Sequence, residues 1–279
     1  MCITELKDII IIGTGPAGIS AAITAKISNK DIMLIGGEKI SRKVCSTHKV
    51  LNFTGLPDVT GQEMETAFLK QLESLKIDIK VTRVGAVYAM GKYFAVQTDD
   101  GMYNAKTVIL ATGVAPDSLI EGEEDLLGNG VSYCATCDAP FYKGKSVIAI
   151  GYGPAARDEA DFLAENSQVT YIDAEKDKPV KIFKQDGKIF ANTQNAEYSA
   201  DGVFILRDNI VPQHLVSGLA VSDGHVTVDI NMKTNLPGLF ACGDVAGKPY
   251  QYIKAAGQGN TAALSAVKYI NDLNKTEEN

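Results

Sequence analysis

The sequence predicts an α/β protein made of two Rossmann-like dinucleotide-binding domains of the three-layer ββα type, the second shortened and inserted into the first. Three observations carry this. The chain starts with an apolar strand that runs into a glycine turn and a small-residue helix, Asp8-Ile-Ile-Ile-Ile-Gly-Thr-Gly-Pro-Ala-Gly-Ile-Ser-Ala-Ala, the opening of a βαβ unit. The same order recurs in Ser146-Val-Ile-Ala-Ile-Gly-Tyr-Gly-Pro-Ala-Ala. A late Ala/Gly-rich helix, Ala255 to Leu273, has no strand partner of its own and is expected to return to the first domain. A length of 279 residues accommodates two modest domains. The expected partition is 1–113 with 239–279 for the first domain and 114–238 for the second.

In chain order, Asp31-Ile-Met-Leu-Ile is the second strand and ends at Gly36-Gly37-Glu38, where an acidic residue meets a ribose. Gln62 to Leu75 has the spacing of an amphipathic helix; strands are expected near Ile77 to Val84 and Tyr93 to Gln97, and Thr107-Val-Ile-Leu-Ala-Thr-Gly reads as a buried strand. In the second domain Val169-Thr-Tyr-Ile ends at Asp173-Ala-Glu175, and Asp186-Gly187 between short apolar patches reads as a hairpin. No crossover helix fits between Asp173 and Asp201, so the usual third parallel strand is abbreviated. Leu239-Phe-Ala-Cys-Gly-Asp leads into the last helix, and the polar end from Asn274 to Asn279 is expected to fray.

Composition narrows the function. Apolar residues make up 45% and charged residues 22% of the chain, ordinary for a globular protein. A net charge of -7 argues against general binding to nucleic acid or to an anionic membrane. The first aliphatic run, Ile9 to Ile12, is far shorter than the roughly 20 residues of a membrane helix, and no basic segment with a long apolar stretch precedes it; a cytoplasmic protein is expected. Five cysteines, an odd number spread along a long chain, do not form the framework of a secreted disulfide scaffold.

In Gly13-x-Gly15-x-x-Gly18 the first glycine makes the tight turn, the second lets the backbone approach a pyrophosphate, and the third lets the helix pack on the strand. The phosphate oxygens then meet a helix N-terminus. The second motif, Gly151-x-Gly153-x-x-Ala156, is followed by Asp173 and Glu175, which can accept ribose hydroxyls but repel a 2′-phosphate. NADPH is therefore disfavoured and NADH survives, yet the shortened domain would lack part of a nicotinamide wall. The favoured reading of this motif is a fold without its ligand.

Cys134-Ala-Thr-Cys137 lies between the two βαβ units and is followed by Asp138. Thiols at this spacing close a small disulfide ring, and the thiolate is the form that attacks disulfides; Asp138 is placed to give or take the accompanying proton. A zinc site is the alternative, with Cys45-Ser-Thr-His48 completing a Cys3His set. His214 and His225 read as solvated polar positions, Cys2 and Cys242 as structural.

Together with Asn52-Phe-Thr-Gly55, Ala111-Thr-Gly113 and Ala241-Cys-Gly-Asp244, the two glycine motifs and the cysteine pair resemble, in order and over nearly the whole chain, the low-molecular-weight FAD-containing thioredoxin reductases. The resemblance implies an extended FAD held by Gly13, Thr14, Gly15, Pro16, Ala17 and Gly18, by Glu38 and Asn52, by the backbone near Val84, by Thr112 and Gly113, by Gly243 and Asp244, and by Gln251 with Tyr252. It implies that Cys137 is the thiol next to the flavin, that Cys134 attacks thioredoxin, and that Asp138 protonates the leaving thiolate. It further implies a homodimer, with a hinge near Gly113 to Asp117 and Asn235 to Gly238.

The sequence departs from that pattern at three places. Tyr250-Gln251-Tyr252 stands where the family has Arg-Gln-Ala, and Ser41-Arg42-Lys43 replaces Gly-Gly-Gln before the flavin-contacting loop. The basic clamp for the NADPH 2′-phosphate is replaced by Asp173-Ala-Glu175 in a shortened domain. Both changes in the second domain resemble those of the ferredoxin-dependent flavin thioredoxin reductases, which implies ferredoxin as electron donor and thioredoxin as acceptor. An NADH-dependent disulfide reductase and a non-catalytic zinc- or flavin-binding regulator are the alternatives. Lys39, Arg42, Lys43 and Lys49, with no acidic residue between Lys39 and Val50, mark a local basic loop suited to an acidic ferredoxin.

Overall fold

The structure is a computed structural model and describes residues 6–37, 40–45, 47, 49–113, 119–133, 135–153, 155–207 and 212–277. Strand β1 (Leu6–Ile12) is a β-branched run wholly buried from Ile9 to Ile11, the pattern of a parallel strand covered on both faces. The chain turns at Gly13 into α1 (Pro16–Ile27), returns as β2 (Ile32–Gly36), and reaches α3 (Gly61–Ser74) through the short α2 (Arg42–Cys45). A capping box starts α3: the Thr60 side chain accepts from the Glu63 backbone N–H, and the Glu63 carboxylate accepts from the Thr60 N–H. Then come β3 (Ile79–Val81), β4 (Val84–Ala89), β5 (Phe94–Thr98) and β6 (Gly101–Leu110), the last three an antiparallel meander.

The middle of the chain holds β7 (Val131–Ser132), α4 (Ala135–Asp138), a 3-10 turn at Ala139–Tyr142, β8 (Ser146–Tyr152), α5 (Ala155–Ala164) and β9 (Gln168–Asp173). The antiparallel strands β10 (Pro179–Gln185), β11 (Lys188–Thr193) and β12 (Glu197–Ala200) follow, then β13 (Gly202–Arg207). The Asp186-Gly187 turn joins β10 to β11 with φ of 49° and 78°, as a two-residue hairpin with primed geometry requires. The last part comprises α6 (Pro212–Leu215), β14 (Val221–Ser222), β15 (His225–Val226), β16 (Leu239–Ala241), a 3-10 turn at Gly243–Ala246 and α7 (Tyr252–Glu277).

Packing divides the chain into two compact units, Met1–Ala115 with Val211–Asn279, and Pro116–Ile210. The return to the first unit comes earlier than the expected residue 239. Val216 bridges to Val87 of β4 and Lys233 to Phe240 of β16, while Asn235 bonds the Gly218 carbonyl and the Ala220 N–H. The expected second hinge at Asn235 to Gly238 therefore lies inside unit 1. The crossing at 210/211 falls on residues outside the described set, as do residues 114–117 of the first hinge.

In unit 1 the parallel order is β3-β2-β1-β6, with β16 on the second half of β6 and the meander on its first half. β6 thus belongs to two layers. Helix α1 is buried on most of its surface between this sheet and α7; at Gly259 of α7 an added Cβ would lie 2.0 Å from the Ala17 carbonyl oxygen. Helix α7 runs to Glu277 rather than fraying from Asn274; Ile270 is anchored in the core, and Lys275 suits the C-terminal end of the helix dipole.

Unit 2 is the shortened copy. Its parallel sheet has the order β7-β13-β8-β9, and β9 is its edge among the described residues. Alternation sends Ile148, Ile150, Val203 and Ile205 toward Ile182 and Ile189 of the antiparallel sheet, while Val147, Ala149, Phe204 and Leu206 meet Ala135, Ala156 and Leu163 of the helices. Past β13, Arg207 and Glu123 form a buried, bidentate ion pair, with Nη2 to Oε2 at 2.9 Å. Glu123 also accepts the Ile120 N–H at 2.7 Å, and the guanidinium lies 4.7 Å over the Tyr152 ring. Leaving one buried charge unpaired is the costly case, so Glu123→Ala is expected to destabilise the protein by about 3–5 kcal/mol, whereas Glu123→Leu with Arg207→Met recovers most of that loss; urea denaturation of both variants checks it.

Candidate functional site

In unit 1 the carboxyl ends of five parallel strands lie along one edge, because Ile12 is level with Ile35 and Leu110, Gly36 with Val81, and Leu110 with Ala241. Just past that edge come Gly13 to Gly18, Gly36, Val84, Thr112 with Gly113, and Gly243 with Asp244. This is where open α/β sheets bind ligands. Residues far apart in the chain are gathered here by strand register alone.

The glycine turn is built for close approach. Gly13 has φ +117°, and a Cβ there would lie 2.2 Å from the Ala111 carbonyl oxygen; one on Gly18 would lie 1.8 Å from the Gly13 oxygen. Among the described residues, a Cβ on Gly15 would meet within 4 Å only the Ser41 Cβ, at 3.8 Å, so the face in front of it is open. Gly15 is the N-cap of α1 and carries no side-chain cap, with Pro16 at the first helical position, which leaves the orphan N–H groups of the first turn for an anion. Thr14 is buried beneath the turn against Gly36. These residues fit the pyrophosphate of an extended dinucleotide. Glu38, the expected ribose partner, lies outside the described residues.

At the other end of the site Asn52 Nδ2 donates to Gln251 Oε1 at 2.7 Å, and the hydroxyls of Thr47 and Tyr252 are 2.6 Å apart. With Lys49, Val50 and Tyr250 these residues line a cavity of about 160 Å³. Two expected partners, Asn52 and Gln251, are thus joined directly. The basic loop is only partly described: Lys49 pairs with Asp58 at 2.7 Å, so its charge is offset, while Lys39 and the side chains of Arg42 and Lys43 lie outside the described residues.

His225, expected as a solvated residue without partners, is instead bonded through Nε2 to the Tyr250 hydroxyl at 2.6 Å. Its partner is distant in sequence, so spacing gave no sign of the contact. Lys254 and Gln258, which reach Gly243 from α7, were also missed. Their i, i+4 spacing on one helix face was the available signal. Cys242 is structural as expected, and burial pushes its thiol up to about 12.

In unit 2, Cys134 lies outside the described residues; Cys137 is on α4, and its side chain is not among those described. Asp138 ends α4 and accepts a hydrogen bond from Ser132 Oγ at 2.6 Å. Burial, with the charges of Asp138 and Asp201 behind it, pushes the Tyr142 phenol up. Of the alternative zinc ligands, Cys45 is half-buried with Sγ 3.5 Å from the Ile40 oxygen, and His48 is outside the described residues. Among the described residues no three His, Cys, Asp or Glu side chains gather as metal ligands, and no helix is long and apolar enough to cross a membrane.

The second glycine motif is crowded at its first glycine. A Cβ on Gly151 would lie 2.3 Å from the Tyr171 hydroxyl, and the Arg157 guanidinium lies 4.7 Å over the Tyr171 ring. Asp173 is engaged by Lys176 at 2.7 Å and by the Glu175 N–H, and the bond from Lys176 holds its carboxyl below the usual range. Arg207 and Tyr152 face each other in register at the ends of β13 and β8, the pair of strands between which such folds bind a dinucleotide.

The profile of the pyridine nucleotide-disulphide oxidoreductase family matches residues 7–203 and 176–259. A thioredoxin reductase of Peptoclostridium litorale is 34% identical, covering 96% of this chain and 98% of the relative, and one of Peptoclostridium acidaminophilum is 31% identical, covering 95% and 98%. Among solved structures, a ferredoxin-flavin thioredoxin reductase from Clostridium acetobutylicum is 43% identical with a TM-score of 0.89, covering 97% of this chain and 99% of that one. A second ferredoxin-flavin thioredoxin reductase structure from that organism is 39% identical with a TM-score of 0.88, covering 96% and 99%.

The open face at Gly15 and the crowded one at Gly13 separate binding from folding. Gly15→Val is expected to leave the thermal melting of the apoprotein unchanged while removing the bound dinucleotide; Gly13→Val is expected to lower the melting temperature itself. Circular dichroism melts and the flavin-to-protein absorbance ratio of the purified variants check both.

Proposed function

The chain belongs to the pyridine nucleotide-disulphide oxidoreductase family and is a thioredoxin reductase-type, FAD-binding disulfide oxidoreductase, and from this we propose that its electrons come from ferredoxin rather than from a pyridine nucleotide. The side chains that crowd the strand ends of unit 2 carry the proposal. Tyr171 stands over Gly151, the Tyr152–Arg207 stack fills the carboxyl end of β8 and β13, and Asp173 is already engaged. The two Clostridium acetobutylicum structures, described as ferredoxin-flavin reductases, support the same reading.

The driving force is sufficient. A plant-type ferredoxin at about −400 mV and thioredoxin at about −270 mV differ by roughly 130 mV, about 6 kcal/mol for two electrons. FAD, when bound, supplies the ability to take electrons singly and release them as a pair. The chain's own residues do the rest: Gly13 to Gly18, Asn52, Gln251 and Asp244 hold the cofactor, Cys137 exchanges electrons with it, and Cys134 as thiolate attacks the thioredoxin disulfide. Asp138, steadied by Ser132, supplies the proton to the leaving thiolate. Homodimer formation and a cytoplasmic location complete the proposal, by likeness to the relatives.

An NADH-dependent reductase is the second reading, kept open by the acidic residue at Asp173. Anaerobic mixing with NADH, NADPH and reduced ferredoxin in turn is expected to bleach the flavin absorbance only with ferredoxin; rapid bleaching by micromolar NADH would reverse the assignment. The thiol roles give a separate expectation. Cys134→Ser leaves the Cys137 thiolate to produce a long-wavelength charge-transfer band at high pH, and Cys137→Ser produces none; the opposite pattern in absorption spectra means that the two roles are exchanged.

A further inference from the structure

We infer that Lys254 is the countercharge of the FAD site, offsetting the Asp244 carboxylate so that an anionic cofactor can lie beside it. Lys254 sits in the first turn of α7, a helix of 26 residues, and the N-terminal end of a helix disfavours a cation. Local bonds hold it there. Its ammonium donates to the Gly243 carbonyl at 3.2 Å and to the Gly247 carbonyl, closing the loop on either side of Asp244. Burial pushes Lys254 down, and the charge of Asp244 pulls it back up.

An ammonium has three hydrogens, two of which are used on these carbonyls. Among the described residues no third acceptor is bonded to it. Gly243 is held from a second direction, since its N–H donates to Gln258 Oε1 at 3.0 Å, one helical turn from Lys254. A Cβ on Gly243 would lie 2.8 Å from the Ala17 Cβ, so this loop rests on the first turn of α1, the turn whose N–H groups are open to phosphate. A pyrophosphate brings two negative charges to that place, and Asp244 adds a third. The two helix N-termini carry only partial charges, whereas Lys254 carries a full unit charge.

FAD titration of the apoprotein, followed by quenching of flavin fluorescence, tests this without using turnover and without bearing on the electron donor. Lys254→Met is expected to raise the Kd for FAD roughly tenfold or more, and Lys254→Gln, which can still donate to a carbonyl, to match it. Adding Asp244→Asn to Lys254→Met is expected to recover part of the loss, the sign of a charge-compensating pair. Apoprotein melts of each variant separate folding from binding. The inference is overturned if Lys254→Gln binds FAD within about twofold of the parent, which would leave Lys254 as a loop clamp only, or if Asp244→Asn weakens the Lys254→Met protein as much as it weakens the parent.

Discussion

Bare backbone at the carboxyl edge of a parallel sheet is the constraint on which unit 1 depends. A Cβ on Gly13 would lie 2.2 Å from the Ala111 oxygen, and one on Gly18 would lie 1.8 Å from the Gly13 oxygen. These contacts let α1 lie directly on β1 and β6, which in turn puts its uncapped first turn at the strand ends. Helix α7 then closes on α1 at Gly259 with no side chain between them. The loop Gly243–Gly247 can rest on α1 only because α7 is that close. Core packing at Gly13 and Gly18 therefore sets where the open face at Gly15 stands, and the side chains that matter most are the absent ones.

Unit 2 uses the same skeleton to the opposite end. Its strand, turn and helix repeat those of unit 1, but Tyr171 occupies the space above Gly151 and Tyr152 stacks on Arg207. The buried Arg207–Glu123 pair costs desolvation that apolar residues would avoid, so stability alone does not account for it. What the pair does is place the guanidinium against Tyr152 at the carboxyl ends of β13 and β8. A glycine motif reports a backbone shape, and whether that shape receives a phosphate depends on residues the motif does not include.

Legibility followed the range of the interactions. Both βαβ units were readable because apolar runs and glycine turns are local, and the Asp186-Gly187 hairpin because its turn chemistry is. The return to unit 1 was placed late, since residues 211–226 form only short elements held by isolated bridges to distant strands. Asn52 and Gln251 were found by family likeness rather than spacing. The His225–Tyr250 bond had no comparable signal, and for Lys254 the i, i+4 spacing with Gln258 marks a helix face but not the turn it reaches. The basic stretch from Lys39 to Lys49 shows a related limit: Asp58 lies beyond the stretch in sequence yet 2.7 Å from Lys49, and a charge count along the chain does not give the field above it.

A domain whose crevice is filled still has reason to keep a parallel sheet. β7 is only two residues long, and pairing Val131 and Ser132 with Val203 and Phe204 of β13 is what fixes its direction. Ser132 then reaches Asp138 across the start of α4, so the segment bearing the cysteine pair is held at both ends, by a strand ladder on one side and a hydrogen bond on the other. Phe204 adds a third restraint through its edge contact with Tyr142 at 5.2 Å, just past α4. Removing the sheet would release all three restraints together. The parallel sheet of unit 2 thus also serves to place the four-residue helix α4.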